Sequence, residues 1–364
     1  MFRVVVLLSF LVLVGIAATR AASPQDGTPS QTASSKSTYQ VAAISGSAPS
    51  EAAPPDDMRS LYRRPTSIPF PKNAPYSPQL ATLGKMLFFD PRLSGAKNMN
   101  CASCHNPSFG YEAPVERAVG SLNEPLSRHA PTTLNMAWVE PLMWDGRAAS
   151  LEEQAAGPIT APAEMNARFD DIIATLTGIA EYATWFDSLF PGQGITRESI
   201  LTAIATYERT IVSGWSAFDR WVDGNDAAMS EAAINGFRLF NGKANCAACH
   251  TGWNFTDNQF HDIGLYTDDI GRAAIDPSAP DKRHAFKTPG LRDLSYRAPF
   301  MHNGSIPDLE MVIQHYESGG MRRPSLSPLM VPFRLTDEER EDLLAFLMAL
   351  TADVSDTPMP NLPN

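Results

Sequence analysis

Residues 101–105 read Cys-Ala-Ser-Cys-His, and residues 246–250 read Cys-Ala-Ala-Cys-His. In this pattern two thiols can add to the two vinyl groups of one porphyrin, while the adjacent imidazole reaches the iron from the proximal side. Cys101, Cys104, Cys246 and Cys249 are all the cysteines of the 364-residue chain. Three other uses compete: disulfides, a zinc site and a redox dithiol. Zinc wants four ligands in one cluster, and a dithiol motif needs no histidine. Two copies that consume every cysteine favour two covalently attached c-type haems, with His105 and His250 as iron ligands.

The flanking sequence suits that reading. Before the second motif, Ala233, Phe237, Leu239 and Phe240 mark a short helix over 230–241. Further on, Thr336 and Glu339 predict a capping box. Leu343, Leu344, Leu347 and Leu350 supply the apolar stripe of a helix over 337–350. A helix before the motif and another at the end is how a small cytochrome c closes over its porphyrin. Ahead of the first motif, Ser77 caps, Pro78 takes the first helical position, and Leu80, Leu83 and Leu87 follow at helical spacing. Further helices are expected over 168–189 and 197–222. No run alternates with period two. The expectation is a mainly α protein with two cytochrome c-like haem domains in tandem, 57–224 and 225–355, and a tail over 356–364.

The remaining segments concern location. Arg3, an apolar run from Val4 to Ala18 and small residues from Ala17 to Ala22 read as a secretory signal peptide over 1–21. The run is short for a membrane span, so an uncleaved anchor is the lesser reading. Residues 22–56 are rich in Ser, Ala, Thr, Gln, Pro and Gly. Such a stretch buries too little to offset its ordering entropy, and it reads as a disordered linker. The net charge of −11 disfavours nucleic acid and anionic membrane as partners. It suits a soluble periplasmic protein that meets a basic partner.

Beyond the haem motifs, five stretches carry a resemblance. They are Leu-Gly-Lys-Met-Leu-Phe-Phe-Asp at 83–90, Trp-Asp-Gly-Arg-Ala at 144–148, Glu-Gln-Ala-Ala-Gly-Pro at 153–158, Ala-Pro-Ala-Glu-Met at 161–165 and Ala-Pro-Phe-Met-His-Asn-Gly at 298–304. On these the chain, from roughly residue 69 to 350, resembles the bacterial di-haem cytochrome c peroxidase family, which includes the MauG-type enzymes.

The resemblance implies roles residue by residue. A haem that splits peroxide needs an open iron face and a group there to move a proton between the two oxygens. Glu164 matches the family's distal acid, and Gln154 and Pro158 match its distal pocket. Trp144 matches the Trp between the haems, where an indole could relay electrons. A solvated loop charge and a core aromatic are the plainer readings of Glu164 and Trp144. The sixth ligand of the second haem falls at Tyr316, as in MauG-type members, where plain peroxidases have Met. Methionine favours reduced iron, whereas a phenolate should favour oxidised iron. The alternative is a core Tyr316 with Met311 or Met321 as ligand.

Several positions depart from the plain peroxidases. Where many of them place an inhibitory His on a loop, this chain has Ser121; the next His is His129. The first haem is therefore expected to be open while fully ferric. The resemblance also implies one calcium ion, held by the backbone carbonyls of Arg297 and Pro299 and by an Asn oxygen. That Asn position is His129, and imidazole is a poor replacement for a hard oxygen donor. The Trp through which MauG passes charge to its substrate is here Ala244. Trp253 is a candidate replacement, with core packing as the plainer role. His261, His284 and His315 stay unassigned.

Three functions follow as expectations. The first is a MauG-type oxidoreductase. It would use hydrogen peroxide to reach a high-valent di-haem state that oxidises an aromatic residue of a partner protein. Tryptophan is the expected target, as in the methanobactin-associated member that converts a partner's Trp to kynurenine. The second is a cytochrome c peroxidase fed by a small cytochrome, which predicts a Met ligand and prior one-electron reduction. The third is a non-enzymatic electron carrier, which predicts no distal acid.

Overall fold

The computed structural model describes residues 56–353 and 357–364. Residues 1–55, which hold the expected signal peptide and nearly all of the expected linker, lie outside the described residues. The described residues fall within one compact unit. Their helices are α1 (Asp56–Ser60), α2 (Pro78–Phe89), α3 (Leu151–Thr160), α4 (Phe169–Thr177), α5 (Ala180–Leu189), α6 (Arg197–Thr210), α7 (Ala217–Val222), α8 (Glu231–Asn241), α9 (Leu309–Ser318) and α10 (Asp337–Met348). Two short strands, β1 (Phe260–His261) and β2 (Phe286–Lys287), pair antiparallel with Phe260 opposite Lys287. The protein is mainly α, as expected, and no described helix is long and apolar enough to cross a membrane.

Local chemistry sets the helix ends. The Ser77 hydroxyl accepts the Leu80 N–H at 3.0 Å, and Pro78 opens α2. The Ser230 hydroxyl caps α8 through the Ala233 N–H at 3.1 Å. Thr336 and Glu339 exchange bonds of 3.1 and 2.7 Å at the start of α10, the expected capping box. Two expected helices are each broken in two. The 168–189 segment splits into α4 and α5 at Gly178, a residue of low helix propensity. The 197–222 segment splits into α6 and α7, because Ser216 caps a new helix in a box with Asp219. Sequence reasoning did not place α3 and α9, which begin at the N-caps Ser150 and Asp308.

Each half is built on one helix crossing. Helix α2 packs on α6, and α8 packs on α10. A glycine permits each close approach: a Cβ on Gly84 would meet the Ala203 carbonyl at 1.9 Å, and one on Gly236 would meet the Asp342 carbonyl at 2.0 Å. Around the first crossing, Leu83, Leu87, Ile159, Phe186 and Ile204 are buried together. Around the second lie Phe237, Phe240, Phe255, Leu343 and Phe346.

The second core also takes in Tyr62, Phe218 and Trp221. The expected boundary after residue 224 therefore passes through a packed cluster, because the aromatic rings of α7 find their partners on α8 and α10. The C-terminal tail returns to the first half, where Leu362 packs against that core.

Candidate active site

Both haem motifs form the same local structure. Cys101–Ser103 and Cys246–Ala248 are single 3₁₀ turns, and the N–H of His105 or His250 bonds back to the first cysteine's carbonyl at 2.9 Å. His105 Nδ1 lies 3.3 Å from the Tyr111 carbonyl, and His250 Nδ1 lies 3.0 Å from the Phe255 carbonyl. An Nδ1–H that donates to a carbonyl leaves the Nε2 lone pair for a metal. Burial lowers both imidazole pKa values, which keeps the rings neutral, as ligation requires.

The cysteines are unpaired. Burial pushes Cys104 up to about 11 and both Cys246 and Cys249 to about 12, and it raises Cys101 further. Reactive dithiols have lowered thiol pKa values, so these residues do not suit redox-dithiol chemistry. Cys101 packs beside Phe88, Phe89 and Leu134, and Cys246 beside the second core. Paired thiols at apolar walls, each with a neutral oriented imidazole, fit a covalently held haem in each half. The one cluster of possible metal ligands among the described residues, Cys249, Asp257 and His261, includes a haem-attachment cysteine and is no separate site.

In the second half a single cavity is lined by Cys246, Cys249, His250, Tyr316 and, at its edge, Trp144. Helix α9 carries Tyr316 to this wall. Burial raises the phenol above its ordinary range, so an anionic form there needs a facing cation such as ferric iron. Met311 and Met321, the alternative ligands, are 46% and 44% exposed and do not line the cavity. Met301 and Met330 do line it, two residues that sequence reasoning passed over. Ala244 is buried against the same cavity.

In the first half, Glu164 sits in a turn after α3. Its N–H bonds to the Ala161 carbonyl at 3.0 Å, and its neighbour Met165 is held by the Pro158 and Gly95 backbones at 3.0 and 2.8 Å. Burial raises the Glu164 carboxyl pKa, with Arg147 opposing. The Glu164 charge adds to the rise of the Cys104 thiol, behind burial. Gln154 lies on α3 with its amide 3.9 Å from the Met143 sulfur, and Pro158 lies inside the same helix.

Ser121 is tied to this turn. Its N–H bonds to the Glu164 carbonyl at 2.9 Å and its hydroxyl to the Pro162 carbonyl at 2.6 Å. A Cβ on the adjacent Gly120 would meet the Ala163 carbonyl at 1.8 Å, so the two loops touch through backbone.

Trp144 is buried in the seam between the halves. Its indole N–H donates to the His129 carbonyl at 2.9 Å, and its own carbonyl accepts the Lys287 N–H at 2.8 Å. Its ring meets His302 edge-on at 6.5 Å, and His302 stacks on Phe286 at 3.6 Å. The His302 Nε2 is buried without a partner, and burial lowers that pKa to about 4. His302 was legible only as part of the 298–304 motif.

His129 is wholly buried. Its Nε2 lies 3.1 Å from a Glu112 carboxylate oxygen, and its Nδ1 lies 3.1 and 3.0 Å from the Val115 and Glu116 carbonyls. The same carboxylate bonds the Arg297 guanidinium. With both nitrogens engaged, His129 is not placed to ligate the first iron. This donor set does not fit calcium. His129 offers no oxygen, and the Glu112 carboxylate already pairs with a guanidinium and an imidazole. Glu112 was a lone loop acid in sequence, without a signal.

Trp253 packs edge-on against Trp138 at 4.9 Å. The guanidinium groups of Arg64 and Arg292 lie 5.5 and 5.8 Å from its ring centroid. Such cations favour a neutral, electron-rich indole and oppose its oxidation. The surroundings of Trp253 are those of a packing residue.

Comparison with known proteins gives the family. The family model for di-haem cytochrome c peroxidase matches residues 78–227, and that for cytochrome c matches residues 233–351. Methylamine utilization protein MauG of Methylorubrum extorquens is 47% identical over 332 residues, covering 89% of this chain and 94% of that protein. Cytochrome c551 peroxidase of Nitrosomonas europaea is 32% identical over 306 residues, covering 82% and 87%. The crystal structure of a MauG-like protein associated with microbial copper homeostasis superposes with a TM-score of 0.74 at 31% identity, covering 79% of this chain and 94% of that one. The chain is thus an oxidoreductase with two c-type haem domains, and it belongs to the di-haem cytochrome c peroxidase and MauG family.

Proposed function

We propose that this protein is a periplasmic MauG-type enzyme that uses hydrogen peroxide to oxidise a tryptophan of a partner protein, and that the partner belongs to methylamine utilisation. The observation that carries the reading is Tyr316 on the cavity wall shared with His250, while Met311 and Met321 face outward. The high identity to a methylamine utilisation protein supports the choice of partner.

When bound, the haems supply one-electron redox chemistry at two irons and, in the first half, a face at which peroxide is reduced. The chain's residues do the rest. Glu164, whose carboxyl pKa burial raises, takes up a proton from one peroxide oxygen and passes it to the other. Ser121, fastened to the Glu164 turn, keeps that face clear of a protein ligand. Gln154 and Pro158 shape the same wall from α3. Trp144 relays electrons across the seam. Tyr316 favours the oxidised state of the second site. Peroxide takes two electrons and two protons to give two waters, and the partner's aromatic residue yields both.

The second reading, a peroxidase fed by a small cytochrome, draws on the peroxidase relatives. Peroxide turnover with a reduced small cytochrome separates the two. Slow turnover, beside a rapid peroxide-dependent mass change in a tryptophan-bearing partner, supports the proposal. Fast cytochrome turnover with no change in the partner overturns it.

A further inference from the structure

Two tyrosines beside the first haem motif have no part in the chemistry above. Tyr207, on α6, is buried in one cluster with Phe88 and Phe89, against which Cys101 and Tyr111 also pack. The Tyr111 carbonyl is the group that faces His105 Nδ1. The two hydroxyls lie 3.4 Å apart, and the Tyr111 hydroxyl lies 3.1 Å from Thr357 Oγ1. Both tyrosines line a second pocket, of about 250 Å³, with Lys85, Thr210, Asp293 and Thr357.

Their surroundings differ from those of Trp253. No guanidinium lies over either ring among the described residues. A buried phenol that loses an electron must also release its proton. Here a chain of hydroxyls leads that proton to a polar, open pocket.

We propose that Tyr207 and Tyr111 form a second electron entry to the first haem, filled from this pocket by a small dihydroxy reductant of the hydroquinone type. The pocket suits a small hydroxylated molecule: its lining includes a lysine, a carboxylate and several hydroxyl-bearing residues, and it is too small for a protein segment. The inference rests on peroxide reduction at the first haem. In each of two steps the Tyr207 phenol gives up one electron, and its proton passes to the Tyr111 hydroxyl and on to Thr357. Hydroquinone in the pocket restores the hydrogen. Overall, peroxide and hydroquinone yield two waters and benzoquinone.

The test uses the full-length, haem-loaded protein and its Tyr207→Phe and Tyr111→Phe variants. Each removes one hydroxyl and keeps the ring. Samples frozen after peroxide addition without reductant are read by electron paramagnetic resonance, and hydroquinone oxidation is followed separately. Wild type should show a tyrosyl signal that Tyr207→Phe lacks. Both variants should oxidise hydroquinone at least about tenfold more slowly, while the single-turnover reaction of the first haem with peroxide, measured without hydroquinone, keeps its wild-type rate. An unchanged tyrosyl signal and unchanged hydroquinone rates in both variants overturn this inference alone. Failure of wild type to consume peroxide overturns it together with the reading on which it rests.

Discussion

Trp144 donates its indole N–H to the backbone carbonyl of His129 at 2.9 Å, and the His129 N–H in turn bonds to the His302 carbonyl at 2.9 Å. One short chain of bonds thus crosses the seam between the two haem halves. It fixes the indole against His302, at the edge of the second cavity. Trp144→Phe keeps an aromatic ring but loses the donor and the easily oxidised indole. Rapid mixing with peroxide should show a normal first-haem reaction and a second-haem absorbance change slowed at least about tenfold.

Glu164 offers the test of the proton step. Glu164→Gln keeps shape and burial but holds no transferable acid proton. The rate of reaction with peroxide should fall by about 10²–10⁴-fold. Resting absorbance and thermal stability should stay close to wild type. Stopped-flow absorbance against peroxide concentration measures the rate.

Tyr316→Met exchanges an anionic oxygen for a thioether. The second haem should then show a higher reduction potential, readable by spectroelectrochemistry. The variant should also gain a need for prior reduction before it reacts with peroxide. If Met330 or Met301 already ligated the iron, the substitution would leave the potential unchanged.

Glu208 gives a pH dependence. It is buried on α6 with one carboxylate oxygen lacking a partner, and burial raises its pKa to about 8. In the unfolded chain it ionises near the ordinary value of about 4.3. Between these values the folded state binds more protons, so stability falls as pH rises. Glu208→Gln should remove that slope. The melting temperatures of variant and wild type should agree near the acid end and diverge toward pH 8, the variant higher. The slope is at most about 1.4 kcal/mol per pH unit. Parallel curves would contradict this account of the group.

The legibility of these features in the sequence follows the range of the interactions. Caps act within four residues, so Ser77 and the Thr336–Glu339 box were readable directly. The breaks at Gly178 and Ser216 were not, because an apolar face at helical spacing continues across each. Glu112 could not be found at all. Its meaning comes from Arg297, 185 residues away, and from His129, which join it only in the folded seam. The same holds for the Tyr111–Tyr207 pair, which are 96 residues apart. Ser121 was legible only as a missing histidine; its bonds to the Glu164 turn are a product of the fold.

An open first haem in the resting protein, and a second haem that Tyr316 lets hold an oxidising equivalent, together make the MauG-type reaction possible. The most direct measurement adds one equivalent of hydrogen peroxide to the fully ferric protein without reductant and follows the visible and near-infrared spectra. A rapid change should appear at both haems and persist until a tryptophan-bearing partner is added. Silence until one haem has been reduced would contradict the MauG-type reading and leave a cytochrome-fed peroxidase in its place.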